Sequence, residues 1–169
     1  TYLRCELVRG PSLATLLAKV GPLPIEAVRH LWVAVVEGLA VIHGAGVLHL
    51  DLKPGNILLD RPIDTKARLG PQLTDAMPKI IDFGISREGG DNAATGTGVE
   101  GTPYYMSPEQ CEGLAPGPTS DLYTLGTTFF HVATGSPPFD GEQLAILHKQ
   151  VTAPPPIAEL EGRLGYHLS

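Results

Sequence analysis

The segment HLDLKPGN, residues 49–56, gathers three polar groups that could do chemistry together: the carboxylate of Asp51, the ammonium of Lys53 and the carboxamide of Asn56. The apolar run ILL follows at once, and a strand there would hold the preceding loop against a rigid edge. In phosphoryl transfer a protein orients a hydroxyl, holds magnesium on the phosphates and supplies positive charge where negative charge develops. An Asp, a Lys and an Asn in one rigid loop can divide those tasks.

A second carboxylate is needed for the metal, and Asp82 is the candidate. It ends the β-rich run KIID and precedes Phe83 and Gly84, where the glycine allows a sharp turn beside a ligand. The four polar side chains are therefore expected to converge in space.

Helical periodicity predicts a mostly helical framework around these loops. Ser12 is expected to cap a short helix that Gly21 ends. A helix of about five turns should run from Pro24 to HGAG, because proline suits the first helical position. Its apolar face is predicted to comprise Ile25, Val28, Leu31, Trp32, Val35, Val36, Leu39 and Ile42. His30 and His43 on this helix are interpreted as packing or surface residues.

Five further segments are predicted to be extended or irregular. ELVRG, residues 6–10, resembles the end of a strand, and NILLD and KIIDF are predicted as two more strands. The connection between these two, residues 61–78, is too long for a hairpin and is interpreted as an insertion on the surface. Residues 86–101 contain five glycines and few large apolar groups, so a mobile loop is expected there.

The remaining part of the chain is predicted to be helical. Ser107 is expected to cap a short helix that begins at Pro108. The segment DLYTLGTTFFHVATG, from Asp121, is so apolar that it must be buried. Its inward residues are predicted to be Leu122, Leu125, Phe129, Phe130, Val132 and Ala133. An amphipathic helix is expected at residues 141–151, and the following PPP prevents its continuation before another helix begins.

Composition indicates one globular domain: 169 residues, 43% hydrophobic and 18% charged, with a net charge of −6. The acidic balance argues against nucleic acid as a partner. No apolar run reaches the length of a membrane span, and the chain starts without a signal peptide or Met, so we expect it to begin in mid-domain. Cys5 and Cys111 lack metal-ligand spacing and are expected to be reduced thiols of a cytoplasmic protein, with tethering of a longer parent to a membrane left open.

Four motifs resemble those of the eukaryotic-type (Hanks-type) serine/threonine protein kinase family, and most closely its bacterial members. In chain order they are HLDLKPGN, DFG, GTPYYMSPEQ and DLYTLG. The resemblance implies an α+β, protein-kinase-like fold, present here as a mainly helical C-terminal lobe with short β-strands and with the N-lobe missing. Residues 1–169 would be a partial protein kinase domain. Within it, residues 1–9 would form the last N-lobe strand and the hinge, and residues 10–169 an incomplete C-lobe.

The resemblance also implies roles for the polar residues. Asp51 would be the catalytic-loop carboxylate that accepts the proton of the substrate hydroxyl, and Lys53 would neutralise charge on the γ-phosphate. Asn56 and Asp82 would hold magnesium, with Asp82 on the ion that bridges the phosphates. Thr102 would brace the catalytic Asp and Lys.

Further positions follow from the same resemblance. Cys5 would be the gatekeeper, and the backbone of Glu6 and Val8 would face adenine. Phe83 would set active or inactive geometry by its packing, and Asp121 would hydrogen-bond the backbone of the catalytic loop. The implied ligands are ATP and Mg²⁺, and the implied partners are protein substrates with Ser or Thr, since Lys53 favours such acceptors over Tyr.

The chain departs from the family pattern in several places. Leu50 stands where the family usually has an Arg that receives the phosphate of an activation loop, which implies an enzyme not governed by that charge pairing.

The literal G-x-G-x-x-G match at residues 96–101 lies on the wrong side of Asp82 to cover phosphates, and we reject it. Almost the whole small lobe and the last C-lobe helices are expected to be absent, which would leave apolar area exposed and Glu109 without an Arg partner. This piece alone is therefore expected to be inactive and marginally folded.

Two alternatives remain open. A pseudokinase or scaffold module would explain Leu50 but not the joint presence of Asp51, Lys53, Asn56 and Asp82. A small-molecule phosphotransferase similar to the aminoglycoside kinases would use a similar loop, but those enzymes usually carry His in place of Lys53 and lack a GTPYYMSPE segment.

Overall fold

The computed structural model describes residues 6–83 and 103–164. The predictions for Cys5, Gly84, Thr102 and the loop at 86–101 fall outside this part of the chain. The described elements, in chain order, are α1 (Leu13–Val20), α2 (Ile25–Gly44), a 3₁₀ turn (Pro54–Asn56), β1 (Ile57–Leu59), α3 (Leu69–Thr74), β2 (Pro78–Ile80), a second 3₁₀ turn (Pro103–Tyr105), α4 (Pro108–Cys111), α5 (Pro118–Thr134), α6 (Gln143–Thr152) and α7 (Ile157–Leu164). This part of the chain is thus mostly helical around one two-stranded sheet, which confirms the predicted α+β class.

The two predicted strands form and pair antiparallel, in the register Ile57 with Ile80, Leu58 with Lys79 and Leu59 with Pro78. The other edge of β1 is held by the chain before α1, where the Gly10 N–H donates to the Leu59 carbonyl at 3.1 Å. A Cβ at Gly10 would lie 2.2 Å from that same oxygen, so only glycine allows this approach. Residues 6–9 form no strand, contrary to the interpretation of ELVRG, because they have no ladder partner among the described residues.

Helices α1 and α2 begin and end close to the predicted residues. The Ser12 hydroxyl accepts a hydrogen bond from Thr15 N at 3.1 Å, and Gly21 ends α1 with a positive φ of 72°, which glycine adopts without a steric penalty. Pro24 precedes α2 as its N-cap rather than opening the helix. The apolar face is narrower than predicted, since Trp32 is 37% and Val36 is 36% exposed.

One continuous core holds these elements together, formed by α1, α2, α3, α5 and the strand pair. Its fully buried members include Leu13, Leu16, Leu23, Leu31, Leu39, Leu52, Ile57, Leu59, Leu73, Leu125 and Val132. Helix α5 is buried as predicted except at Leu122, which is 55% exposed. The reason is that the inward side of the first two turns of α5 is taken by the polar residues Ser120, Asp121 and Thr124.

The C-terminal helices also begin and end close to the predicted capping residues and prolines. Ser107 caps α4 in a complete capping box with Gln110. Helix α6 ends at Thr152, before the three prolines, and α7 begins at Ile157. No helix within the described ranges combines the length and the apolar character that crossing a bilayer requires.

The insertion at 61–78 exposes many of its residues, as an insertion on the surface should, but it is not merely a surface feature. It contains α3, which packs on α2, and its Leu73 and Ala76 are buried in the main core. Asp60 ties its ends together, because its carboxylate accepts hydrogen bonds from the Arg61 guanidinium and from Met77 N. The Arg61 contact is the main reason why the pKa of Asp60 falls to about 2.

We predict that Leu73→Ala lowers the free energy of unfolding by about 2–5 kcal/mol, because it leaves a cavity in the shared core. Leu144→Ala is the matched control, since Leu144 is 81% exposed, and its effect should stay within about 0.5 kcal/mol. Chemical denaturation of both variants measures the difference. Equal stabilities for the two variants would mean that the insertion folds independently of the core.

Candidate active site

The predicted polar residues of the catalytic loop contact one another. Lys53 Nζ donates to Asp51 Oδ2 at 2.7 Å. The Asn56 Nδ2 amide donates both to the Asp51 carbonyl, at 2.8 Å, and to Asp51 Oδ2, at 3.0 Å. Asn56 is buried while Asp51 and Lys53 are half-buried, so a fixed amide holds a carboxylate that faces outward. Within residues 6–83 and 103–164 no hydrogen bond reaches Asp51 Oδ1, so this oxygen can accept from a further donor.

The strand pair brings the second predicted loop to the first. Ile81 N donates to the Asn56 carbonyl at 3.0 Å, and His49 Nε2 lies 3.0 Å from the Ile81 carbonyl. The Phe83 ring packs against the His49 ring with centroids 5.3 Å apart. Asp82 lies between these two contacts with its side chain exposed, so it stands beside both ends of the catalytic loop.

Among the described residues, Leu50 and Asp82 are the non-glycine positions with positive φ, at 63° and 55° respectively. For a leucine this left-handed conformation is unfavourable because Cβ crowds the following carbonyl. The two positions flank the predicted chemistry, one directly before Asp51 and the other at the predicted metal ligand. Such strain persists only where the surrounding structure enforces it.

The restraint at Leu50 comes from α5 and α4. The buried Asp121 accepts hydrogen bonds from Leu50 N at 2.7 Å and from His49 N at 2.9 Å, which confirms its predicted contact with the catalytic-loop backbone. Gln110 Nε2 donates to the Leu50 carbonyl at 2.9 Å. Both backbone groups of the strained residue are therefore held by side chains distant in sequence.

Two contributors to this restraint were missed at the sequence level. His43 Nε2 lies 2.7 Å from Asp121 Oδ2, so His43 is not simply a packing or surface residue. A sequence signal existed, because a carboxylate predicted to be buried in α5 requires donors. Thr128 donates to the Leu52 carbonyl at 3.1 Å, and no motif marked it.

Residues 103–105, the first described residues after the gap at 84–102, are also attached to α5 and α6. The Tyr105 hydroxyl lies 2.7 Å from His131 Nδ1, and Gln150 Nε2 donates to the Pro103 carbonyl at 3.0 Å. Burial raises the pKa of Tyr105 to about 12 and lowers the pKa of His131. The hydroxyl therefore stays protonated and donates, and neutral His131 accepts at Nδ1.

Glu109 is not without a partner, contrary to the sequence-based expectation. Its carboxylate accepts a hydrogen bond from the hydroxyl of Ser120, a buried residue in the first turn of α5. This hydrogen bond is the main cause of the lowered pKa of Glu109. The Ser120 hydroxyl thus supplies a partner to a carboxylate that was expected to be unpaired.

The remaining predicted positions are only partly placed. Glu6 is exposed, and its carboxylate lies 3.4 Å from Lys79 Nζ on β2; Val8 is half-buried. Their adenine contacts stay a prediction, as does the role of Thr102.

The described ranges contain no group of three or more His, Cys, Asp or Glu side chains arranged for a metal. Asn56 and Asp82 nevertheless offer the oxygen ligands that Mg²⁺ prefers, because the Asn56 amide nitrogen is turned toward Asp51 and leaves Oδ1 for a cation.

We predict that Asp121→Asn lowers the free energy of unfolding by about 1–3 kcal/mol, because an amide nitrogen would face buried N–H donors. Asp140→Asn is the control, since its carboxylate is 94% exposed, and should change stability by less than about 0.5 kcal/mol. Thermal and urea denaturation provide the measurement. A stable Asp121→Asn variant would contradict the role of this carboxylate as the anchor of the loop.

Stability should also depend on pH through His131. Because burial lowers its pKa in the fold, the unfolded chain binds a proton that the fold resists. The contribution is fully present above the ordinary pKa of about 6.5 and declines as the pH falls below it. Unfolding measured between pH 7.5 and pH 5.5 should therefore show a smaller pH dependence in His131→Gln than in wild type. His30→Gln, at an exposed position, should retain the wild-type dependence.

Comparison with known proteins agrees with this geometry. The family described as "Protein kinase domain" matches residues 1–161. A probable serine/threonine-protein kinase, PkwA of Thermomonospora curvata, is 39% identical over 156 residues, which are 92% of this chain and 19% of that protein. The serine/threonine-protein kinase AfsK of Streptomyces coelicolor is 39% identical over 142 residues, 83% of this chain and 16% of its own length. PknL of Mycobacterium tuberculosis is 36% identical over 159 residues, 93% of this chain and 37% of its own length.

Solved structures show the same fold. The Rad53 kinase domain with SCD2, in complex with AMPPNP, superimposes with a TM-score of 0.69 at 23% identity, covering 94% of this chain and 53% of that one. The chain thus spans about half of that structure and well under half of the three named relatives. The motifs, the fold and the family match together establish that this chain belongs to the protein kinase domain family.

Proposed function

We propose that this chain provides the catalytic lobe of a serine/threonine protein kinase, which transfers the γ-phosphate of ATP to Ser and Thr hydroxyls of proteins. The observation that carries the proposal is the contact of Asp51 with both Lys53 and Asn56, in a loop whose ends meet the residues flanking Asp82. The names of the bacterial relatives support the acceptor type. The nucleotide in the Rad53 structure supports ATP as donor.

Asp51 is the proposed acceptor of the substrate proton. Its Oδ2 is occupied by Lys53 and Asn56, so Oδ1 is the atom available to an incoming alcohol. A carboxylate fixed by two donors orients the hydroxyl and removes its proton as the new bond to phosphorus forms. The Asn56 contact to the Asp51 carbonyl fixes the backbone as well, and this makes the orientation precise.

Lys53, Asn56 and Asp82 are the proposed groups for the phosphates. Lys53 Nζ reaches the Asp51 carboxylate and is half-buried, so it can place positive charge next to the transferred group. Asn56 Oδ1 and the Asp82 carboxylate would hold Mg²⁺. When bound, this ion would neutralise phosphate charge during transfer.

The remaining assignments complete the proposal. Residues 1–9 would form the last small-lobe strand and the hinge, with Glu6 and Val8 at adenine, and residues 10–169 would form the C-lobe. Thr102 would brace Asp51 and Lys53. We place the protein in the cytoplasm, where ATP is available.

A non-catalytic scaffold is the alternative outcome. It is disfavoured because it gives no reason for the joint presence of Asp51, Lys53, Asn56 and Asp82, or for the contacts of Asp51 with Lys53 and Asn56. A small-molecule phosphotransferase is disfavoured by the names of the relatives, which are protein kinases.

The test uses the natural full-length protein that contains this chain, with Mg²⁺, γ-labelled ATP and a general protein substrate. We expect label on Ser and Thr, and Asp51→Asn should reduce kcat by at least about 100-fold while nucleotide binding persists. Asp82→Asn should weaken Mg²⁺-dependent nucleotide binding. Asp140→Asn, an exposed carboxylate outside the site, serves as the matched control and should leave both properties unchanged.

Two results would contradict the proposal. Nucleotide binding without transfer to any protein would favour the scaffold, and transfer to small aminoglycosides alone would favour the small-molecule enzyme. Full activity of Asp51→Asn would remove this residue from the mechanism.

A further inference from the structure

We propose that Gln110 is a positioning residue that fixes the direction of Asp51 through the Leu50 carbonyl. This role rests on the proposed kinase function. The residue that holds the catalytic loop would then belong to the segment at 103–111, and it would be an uncharged side chain outside the loop.

The Gln110 side chain uses both ends of its amide. Its Oε1 accepts a hydrogen bond from Ser107 N at 3.0 Å, and so completes the capping box of α4. Its Nε2 donates to the Leu50 carbonyl at 2.9 Å. The capping contact fixes the amide, and the second contact extends that rigidity to a residue sixty positions earlier in the chain.

The carbonyl that Gln110 holds belongs to the peptide that joins Leu50 to Asp51. A peptide unit is planar, so fixing its oxygen fixes the orientation of Asp51 N and restricts the Asp51 Cα. Leu50 N is bound to Asp121, and Leu50 O is bound to Gln110. The two contacts together hold Leu50 at a φ of 63°, a value that its own side chain does nothing to stabilise.

Both restraints on Leu50 act without a cation. The family pattern places an Arg at this position to receive a phosphate, and Leu50 has no such capacity. A neutral amide on α4 holds the turn in this chain, so its geometry does not depend on the charge of a modified loop. Displacement of the 103–111 segment, in contrast, would reach Asp51 through the Gln110–Leu50 hydrogen bond.

Gln110→Glu separates this role from helix capping. A glutamate keeps the oxygen that accepts from Ser107 N but loses the donor to Leu50, and its charge repels the carbonyl. The matched control is Gln72→Glu. Gln72 likewise accepts from a backbone N–H, that of Asp64, and donates to the Asp64 and Arg68 carbonyls, but it lies in the insertion at 61–78.

In the natural full-length protein we expect Gln110→Glu to lower kcat by about tenfold, the equivalent of one lost hydrogen bond, with KM for ATP unchanged. Hydrogen exchange of the peptide covering residues 49–53 should become faster in Gln110→Glu and stay unchanged in Gln72→Glu. Introducing Leu50→Gly should reduce the effect of Gln110→Glu on kcat to about twofold, because glycine adopts positive φ without strain.

The outcomes separate the possible explanations. Wild-type kcat and exchange in Gln110→Glu would overturn the proposal, and a tenfold loss that persists with Leu50→Gly would assign Gln110 to α4 alone. If Gln110→Glu fails to fold while Gln72→Glu folds, recovery of folding by Leu50→Gly supports the restraint, and continued failure contradicts it. Absence of kinase activity in the wild type would reject the proposed function, whereas the exchange comparison would still decide the restraint.

Discussion

The buried carboxylate of Asp121 is the interaction on which the rest of the site depends. A charge removed from water is tolerated only with partners that replace its hydration. Asp121 finds them in His49 N, Leu50 N and His43 Nε2, so helix α5, helix α2 and the catalytic loop meet at one point. The hydrogen bonds that stabilise the buried charge are therefore the same ones that hold the loop in place. A change that removes them would affect both.

Backbone strain at Leu50, next to Asp51, is the second consequence of this arrangement. A left-handed leucine costs about 1–2 kcal/mol relative to its ordinary conformation, and Leu50 adopts it because Asp121 and Gln110 hold its two backbone groups. Asp82 shows the same conformation at the end of the strand pair. Each loop thus carries a carboxylate at or next to a position of positive φ, since Asp51 follows Leu50 and Asp82 is such a position itself.

The caps of the helices and the sequence motifs were predictable, whereas the burial of residues near the ends of helices was not. Caps at Ser12 and Ser107 could be predicted because a hydroxyl beside an apolar run satisfies local donors. Leu122 was assigned to the wrong side of α5 because apolar spacing does not reveal that polar residues occupy the inward face. Helix α3 was missed because six residues containing Gly and Pro show no helical period, although Leu73 joins the core.

The sequence by itself determined the family, the order of the longer helices and of the two paired strands, and which polar residues belong to the two loops, because these depend on residue type and local spacing. Only the tertiary structure decided the partners of those residues: His43 for Asp121, Ser120 for Glu109 and Gln110 for Leu50. The physical reason is that a buried polar group must be satisfied by whatever donor or acceptor the fold brings near. That neighbour is set by the packing of distant helices and carries no local signature.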